Sequence, residues 1–533
     1  MRKAKERSST KKLRKKSRKK EKEKKDAKKK VREQQDTSKK NKKSSGGVEN
    51  NSKKSELGIT VSKTKNFGEW YAQVIQKAGL IEYSPVSGCM VIRPYAYSIW
   101  ETVQEFLGKE IKRMGVENAY FPLFIPESLL RKEQEHVKGF NPEVAWVTQH
   151  GNTAFEEKLA IRPTSETIMY DSYRKWIRSY KDLPLRLNQW CNIVRWEFKH
   201  PVPFLRTREF LWQEGHTAFA TRREAEKEVI DILNLYARVY EELYAIPVLK
   251  GRKTESEKFA GAVYTDSVEI LMPNGKAIQG ATSHFLGQNF SKAFDISFLD
   301  KQGNKQYVYQ NSWGFSTRSI GIMIAVHGDD KGLVIPPRIA PIHIVIIPII
   351  FSNKPTVNEK IMRLAKSIKK ELKTLRVELD DRADYSPGFK FNYWELRGVP
   401  LRIEIGPKDL EKKQVVLVRR DTGVKEAVPI DSLVVKVIKT LGEIQDNLYN
   451  KAKQFLEKSI VKVKSRTEFR KAVKNGKTVL APWCNSAECE SDVKDKTGAK
   501  SLNIPFNQPG VKGKCFWGCG RKAEKMVYFA KSY

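Results

Sequence analysis

Ile99, Trp100, Val103, Phe106, Leu107 and Ile111 recur at the three- and four-residue steps that put apolar side chains on one face of a helix. The chain then enters a short apolar run, Ala119-Tyr120-Phe121-Pro122, with the pattern of a strand. Residues 189–198 and 211–219 predict two strands joined by a basic loop, an antiparallel hairpin. A long amphipathic helix is expected from Arg222 to Tyr244. Beyond residue 330 strand and helix alternate. The expected elements are a strand His343–Ile350, a helix 358–375, a strand near Val377, a helix 389–397, strands Leu401–Ile405 and Gln414–Val418, and a helix 431–457. Such alternation marks a small α/β unit, and the whole reads as an α/β multidomain chain. Ile342 to Phe351 is the most apolar stretch, about half the ~20 residues a membrane-spanning helix needs. It reads as a buried strand, so no membrane association is expected.

Composition changes this picture at the two ends. A length of 533 residues exceeds one ordinary core and implies three or four units. The formal net charge is +38, which points to a polyanionic partner. Residues 1–55 carry 25 Lys/Arg against 7 Asp/Glu, roughly half of that excess, with almost no apolar residues. This segment is a solvated disordered tail, a nuclear address, or a helix-prone arm that holds RNA phosphates. No apolar stretch follows its charges, so no secretory signal is expected and the location is cytoplasmic. The expected boundaries are 1–55 for the tail, 56–330, 331–445 and 446–533. The last unit holds Cys484-x4-Cys489 and Cys515-x3-Cys519, two thiol pairs separated by 25 residues. Paired soft ligands with no open position suit a structural Zn²⁺, the alternative being four reduced thiols in a small core. Cys89 and Cys191 are expected to be small apolar fillers.

The chemistry concentrates on the hairpin. Strand alternation puts Arg195 and Glu197 on one side, and the return strand offers Trp212, Glu214 and His216 at alternate positions. The loop adds Lys199, His200, Arg206 and Arg208. Cations, carboxylates and rings on one face suit a nucleotide and an amino acid; the plain alternative is a solvated face with surface ion pairs. The chain has no GxGxxG after a strand and no GxxxxGK[ST], so a nucleotide site would use another scheme.

Several blocks resemble one family. These are Arg162-Pro163-Thr164-Ser165-Glu166-Thr167, Arg195-Trp196-Glu197, the run Phe204 to His216, Gln279-Gly280-Ala281-Thr282-Ser283-His284, and Trp313-Gly314-Phe315-Ser316-Thr317-Arg318. In this order they are similar to the class II aminoacyl-tRNA synthetases that load proline, of the archaeal and eukaryotic type. The last block resembles their motif 3, and the strand ending at Pro122 their motif 1. The resemblance covers residues 56–533. It implies a class II antiparallel-sheet catalytic domain, an α/β anticodon-binding domain and a small C-terminal zinc-binding α+β domain.

It also implies roles. Thr164 and Glu166 would hold the proline imino group, with His284, Trp212, Glu214 and His216 shaping the pocket. Arg195 would bridge the proline carboxylate and the α-phosphate. Glu197 would accept from the adenine amino group, between Phe210 on one adenine face and Arg318 on the other. Arg206, Thr207, Gln279, Thr282 and Ser316 would complete the ATP site, Gln279 also near Mg²⁺. Anticodon contacts fall on Glu395, Arg402, Lys408 and Lys425. The implied partners are ATP, L-proline, tRNA(Pro) and a second copy of the chain, joined through residues 97–113 and the strand to Pro122. The 96 residues between His216 and Trp313 leave no room for a hydrolytic editing domain. A terminal tyrosine in this type reaches back to the catalytic region; Tyr533 either does so or frays, as many termini do. Two rivals stand beside this reading. One is the threonine enzyme, which places zinc in its amino-acid pocket. The other is an inactive RNA-binding relative, which would lack Arg195, Arg318, Thr164 or Glu166.

Overall fold

The structure, a computed structural model, describes residues 58–136, 143–508 and 510–533. The expectations for the basic tail therefore lie outside the described residues. Its centre is an antiparallel sheet in the spatial order Leu185–Val194, Glu209–Phe219, Tyr309–Ser316, Lys276–Gly287, Tyr264–Leu271 and Leu249–Arg252. The helix Arg222–Arg238 covers one face, burying Val229, Ile232, Leu233 and Tyr236. Its start is fixed by a reciprocal cap between Thr221 and Glu224, which satisfies two backbone donors that a helix end leaves open. The helix Pro94–Arg113 buries Ile99, Trp100, Val103, Leu107 and Ile111 as its spacing requires, while Phe106 is half-buried under the Arg238 guanidinium. Gly215 lies against the Trp313 ring so closely that a Cβ would come within 2.2 Å of it, so only glycine fits there.

Two local expectations shift. The first hairpin strand ends at Val194 rather than 198. Arg195 N–H still donates to the Arg208 carbonyl, but Trp196 N–H turns away to Glu143. Regular pairing before Pro122 is confined to Glu117–Asn118. Further on, Phe121 N–H donates to the Gln189 side chain, so the backbone is satisfied without a ladder.

Residues 344–429 form a five-stranded sheet in the order Val377–Leu379, Ile344–Pro348, Leu401–Ile405, Gln414–Arg419 and Lys425–Pro429. The helices Pro355–Glu371 and Pro387–Leu396 pack on it. The strand Lys425–Pro429 was not expected; four of its five residues are exposed, which hides it from an alternation test. The helix Leu433–Ser459 leads to the C-terminal strands. There Lys525–Ser532 pairs with Thr478–Trp483 and Ala499–Ser501, and its end joins the central sheet through Lys276 and Ala277. Tyr533 N–H donates to the Ala277 carbonyl at 3.0 Å, and its ring packs on the central core with Lys276 Nζ 5.0 Å from the centroid. The terminus is thus docked rather than frayed. Among the described residues no helix is long and apolar enough to cross a membrane.

Candidate functional site

A cavity of about 290 Å³ opens on the uncovered face of the central sheet, with more room than one small amino acid needs. The hairpin strand contributes Phe210, Trp212, Glu214 and His216 to its wall. Residues two apart share a sheet face, which is why this run of alternate positions arrives together. Across the sheet Glu214 faces Gly314, His216 faces Ser312, and Ser312 faces His284. Gln279, Thr282 and His284 therefore line the same cavity, as do Ser316 and Arg318. Thr164 and Glu166 enter from the start of the helix Glu166–Trp176, and Arg195 from just past its strand.

Three expected residues lie elsewhere. Glu197 is exposed in the turn after Arg195, because the strand has already ended. The Arg206 guanidinium rests on the Phe198 ring at 4.7 Å. Thr207 lines a neighbouring apolar cavity that shares Phe210 with the first.

At the closed end of the cavity the polar groups bind one another. Thr164 Oγ1 donates to Glu166, and Ser165 Oγ to Glu214. Gln189 Nε2 donates to Glu214 at 3.1 Å, and His216 Nε2 lies 3.0 Å from its other oxygen. Tyr170 closes the network on His216 Nδ1 at 3.2 Å. Glu166, Glu214 and His216 offer ligand atoms within 4.8 Å of each other, yet both Glu214 oxygens and one Glu166 oxygen are already engaged by these partners. Burial opposes charge on His216, but the Glu166 charge and the Glu214 bond outweigh it and raise its pKa. Burial likewise opposes charge on Glu214, and His216, Ser165 and Gln189 lower its pKa in spite of it. His284 behaves oppositely: burial first, then the charges of His216 and Arg195, push it down to about 3.

The signs give a pH window. The His216 contribution is complete below the ordinary value of 6.5 and is lost as pH rises through the higher folded value. The Glu214 contribution is complete above 4.5 and is lost as pH falls through its lower folded value. Replacing His216 by glutamine is expected to flatten the fall in melting temperature above pH 6.5. Parallel melting curves for parent and variant across that range would contradict this account.

Arg195 Nε donates to the Pro163 carbonyl at 2.9 Å, which fixes its guanidinium over Phe210 and Trp212, 5.8 and 5.4 Å from their centroids. Arg318 is anchored on the carbonyls of Leu205 and Gln279 at 3.1 and 3.2 Å. Both cations are thus held by backbone rather than by neutralising carboxylates.

In the five-stranded unit Arg402 pairs with Glu404 through two nitrogens at 2.9 and 2.8 Å, and Lys425 reaches the same carboxylate at 3.1 Å. Both cations sit over the Phe391 ring. Glu395 turns instead to Lys331, at 2.9 Å, and Lys408 is exposed. Phe391 and Glu404 were missed from the sequence. Glu404 stands two residues from Arg402 on one strand, a spacing that could have found it.

The four cysteines Cys484, Cys489, Cys515 and Cys519 bring their sulfurs within 4.8 Å of one another. The Cys489–Cys515 and Cys484–Cys519 separations are 3.8 and 3.5 Å. A Zn–S distance of about 2.3 Å in a tetrahedron puts ligand sulfurs about 3.8 Å apart, so the donor set fits zinc.

Comparison with known proteins agrees across the chain. The tRNA synthetase class II core domain (G, H, P, S and T) matches residues 148–327, an anticodon binding domain 343–440, and the C-terminal domain of prolyl-tRNA synthetase 466–533. The cytoplasmic proline–tRNA ligase of Arabidopsis thaliana is 52% identical over 490 residues, 90% of this chain and 92% of that protein. The proline–tRNA ligase of Ruminiclostridium cellulolyticum is 52% identical over 474 residues, 89% and 98% of the two chains. The crystal structure of Cryptosporidium parvum prolyl-tRNA synthetase, complexed with halofuginone and AMPPNP, superposes with a TM-score of 0.86 at 50% identity, covering 90% of this chain and all of that one. This chain belongs to the class II prolyl-tRNA synthetases of the eukaryotic type, enzymes that ligate proline to tRNA.

Proposed function

We propose that this proline–tRNA ligase activates L-proline with ATP inside the sheet cavity and then passes the prolyl group to tRNA(Pro). The observation that carries the assignment is that one cavity gathers Thr164, Glu166, Arg195, Trp212, His284 and Arg318 from separate sequence blocks. A secondary ammonium has two N–H donors, which the Glu166 carboxylate and the Thr164 hydroxyl can accept. The neutral His284 and the Trp212 ring bound the pyrrolidine, and Glu214 and His216 hold that wall in place. The proline carboxylate attacks the α-phosphorus in line as the bond to pyrophosphate breaks. Arg195 and Arg318 carry charge that the transition state concentrates on phosphate oxygens. The tRNA ribose hydroxyl then attacks the mixed anhydride and AMP leaves. No covalent bond to the enzyme is needed.

Phe210 and Arg318 would sandwich the adenine, with Thr282, Ser316, Thr207 and Arg206 on the nucleotide. Glu197 and Arg206 would fold inward when ATP binds. Gln279 would offer an amide oxygen to Mg²⁺, while Glu269, opposite it in the strand register, is ion-paired to Lys253 at 2.6 Å. The ion would therefore rest mainly on the nucleotide phosphates, whose charge it would screen.

These tasks divide among 56–330 for catalysis, 331–445 for the anticodon and 446–533 for a zinc-stabilised module, with 1–55 as a basic tail. Glu395, Arg402, Lys408 and Lys425 would meet the anticodon, a cation against guanine and a carboxylate against its amino edge. The proposed location is the cytoplasm. Glu166→Gln tests the proline site: losing a charged hydrogen-bond acceptor costs about 1.5–3 kcal/mol, roughly a 10- to 150-fold rise in the proline KM. An unaltered proline KM would remove Glu166 from the site.

The chain is proposed to act as a homodimer through the helix Pro94–Arg113 and the segment to Pro122. Tyr120 there is 72% exposed, and Phe124, Tyr83 and Val91 lie open on neighbouring segments. A surface this apolar calls for a partner, and an isologous contact supplies one. Light scattering at micromolar concentration is expected to give twice the chain mass; the single mass would count against it.

A further inference from the structure

We propose that Tyr385 forms a stacking platform for one unpaired base of the tRNA anticodon loop, outside the guanines assigned to Arg402 and Glu395. The proposal rests on the reading that this five-stranded unit meets the anticodon.

The platform is built from the loop that precedes the helix Pro387–Leu396. Asp380 is buried, and it accepts both Arg382 nitrogens at 2.8 and 2.7 Å and the Trp394 indole at 2.8 Å. Lys390 Nζ donates to the Asp380 carbonyl at 3.0 Å. Ser386 caps the helix by accepting from Phe389 N–H. These bonds hold the Arg382 guanidinium over two rings, 4.9 Å from Tyr385 and 4.6 Å from Tyr393. Tyr385 stacks on Phe389 at 4.4 Å and 14°, and Phe389 on Tyr393 at 6.3 Å and 19°. The series continues through Arg397 to Tyr95. At its open end Tyr385 is 44% exposed.

An ordered stack that ends in an exposed ring beside a cation has the chemistry of a nucleobase acceptor. Any base has a π-face, and the guanidinium adds attraction for both base and phosphate. The site lies on the helix that also carries Glu395 and Phe391. Positions 389 and 391 point about 200° apart around it, so the platform forms a second face that the guanine contacts do not use. A single RNA loop that splays its bases can engage both.

The test is aminoacylation by the full chain carrying Tyr385→Ala, Tyr385→Trp or Arg402→Ala, with pyrophosphate exchange in the absence of tRNA as the folding control. Transcripts with an abasic residue at each unpaired anticodon-loop position form the second arm. Tyr385→Ala is expected to raise the tRNA KM about tenfold, as lost base stacking does, and Tyr385→Trp to restore it. One abasic position should cost the parent a similar factor and cost Tyr385→Ala nothing more. An unchanged KM for Tyr385→Ala beside a raised one for Arg402→Ala overturns the platform alone. Unchanged values for both overturn the anticodon reading as well. A raised KM in which every abasic penalty is retained also overturns the platform, since the ring would then touch no base.

Discussion

Replacing Arg195 by alanine is expected to abolish proline-dependent pyrophosphate exchange while leaving tRNA affinity close to that of the parent. Arg195 lines the cavity over two adjacent aromatic rings, and its Nε is bonded to the Pro163 carbonyl. A guanidinium held by backbone keeps its positive charge for a ligand and needs no reorganisation as the pentacoordinate phosphorus forms. Removing a preorganised donor of this kind costs about 3–4 kcal/mol, on the order of 10²–10³ in rate. Arg195→Lys keeps the charge but loses the fork, and it is expected to recover only part of the rate. Exchange measured with saturating ATP and proline checks the first point, and filter binding of tRNA the second. Exchange within a few-fold of the parent in the alanine variant would take Arg195 out of the reaction.

The second large effect is expected at the other end of the chain. Chelating zinc, or replacing Cys489 by alanine, should unfold the C-terminal module and lower proline activation with it. The four sulfurs sit at the spacing of a closed tetrahedral site. Structural zinc contributes about 10–16 kcal/mol in small domains that depend on it. Loss of even ~5 kcal/mol would lower the melting temperature by about 20–40 °C in a unit of this size. The effect should reach the catalytic cavity because the strand Lys525–Ser532 pairs with Lys276 and Ala277 and sets Tyr533 on the central core. Gln279, which lines the cavity, follows two residues after Ala277. Metal analysis should give one zinc per chain in the parent and none in Cys489→Ala. An equally stable, equally active Cys489→Ala variant would contradict both the site and the coupling.

Much of this arrangement was legible because it is periodic or local. Trp212, Glu214 and His216 could be placed together from strand alternation, and Ile99 to Ile111 on one helix face from the 3.6-residue repeat. The paired cysteines announced themselves by spacing, and the structure brings all four sulfurs together. What escaped depends on long-range hydrogen bonds that leave no local mark. Lys276 meets Lys531 across more than 250 residues, and neither neighbourhood records the pairing. Arg195 and Glu197 were expected to face the same way. The turn of Trp196 toward Glu143 ends the strand and separates them, leaving Glu197 exposed. The Phe391 contact was missed because a ring on a helix meets a cation on a strand only once the two elements pack, whereas Glu404, two residues from Arg402 on one strand, carries a spacing that could have found it. The stack from Tyr385 to Tyr393 follows a four-residue step that sequence alone could show, but the Arg382 that clamps it is positioned by a buried Asp380 that no pattern reveals.

The most direct test of the whole account is the amino-acid dependence of ATP–pyrophosphate exchange by the purified full chain, followed by charging of tRNA with the amino acid that supports it. Proline should drive exchange, threonine should not, and prolyl-tRNA(Pro) should accumulate. Exchange driven by another amino acid in preference to proline would contradict the assignment of the Thr164–Glu166 pocket, and no exchange with any amino acid would contradict the catalytic reading itself.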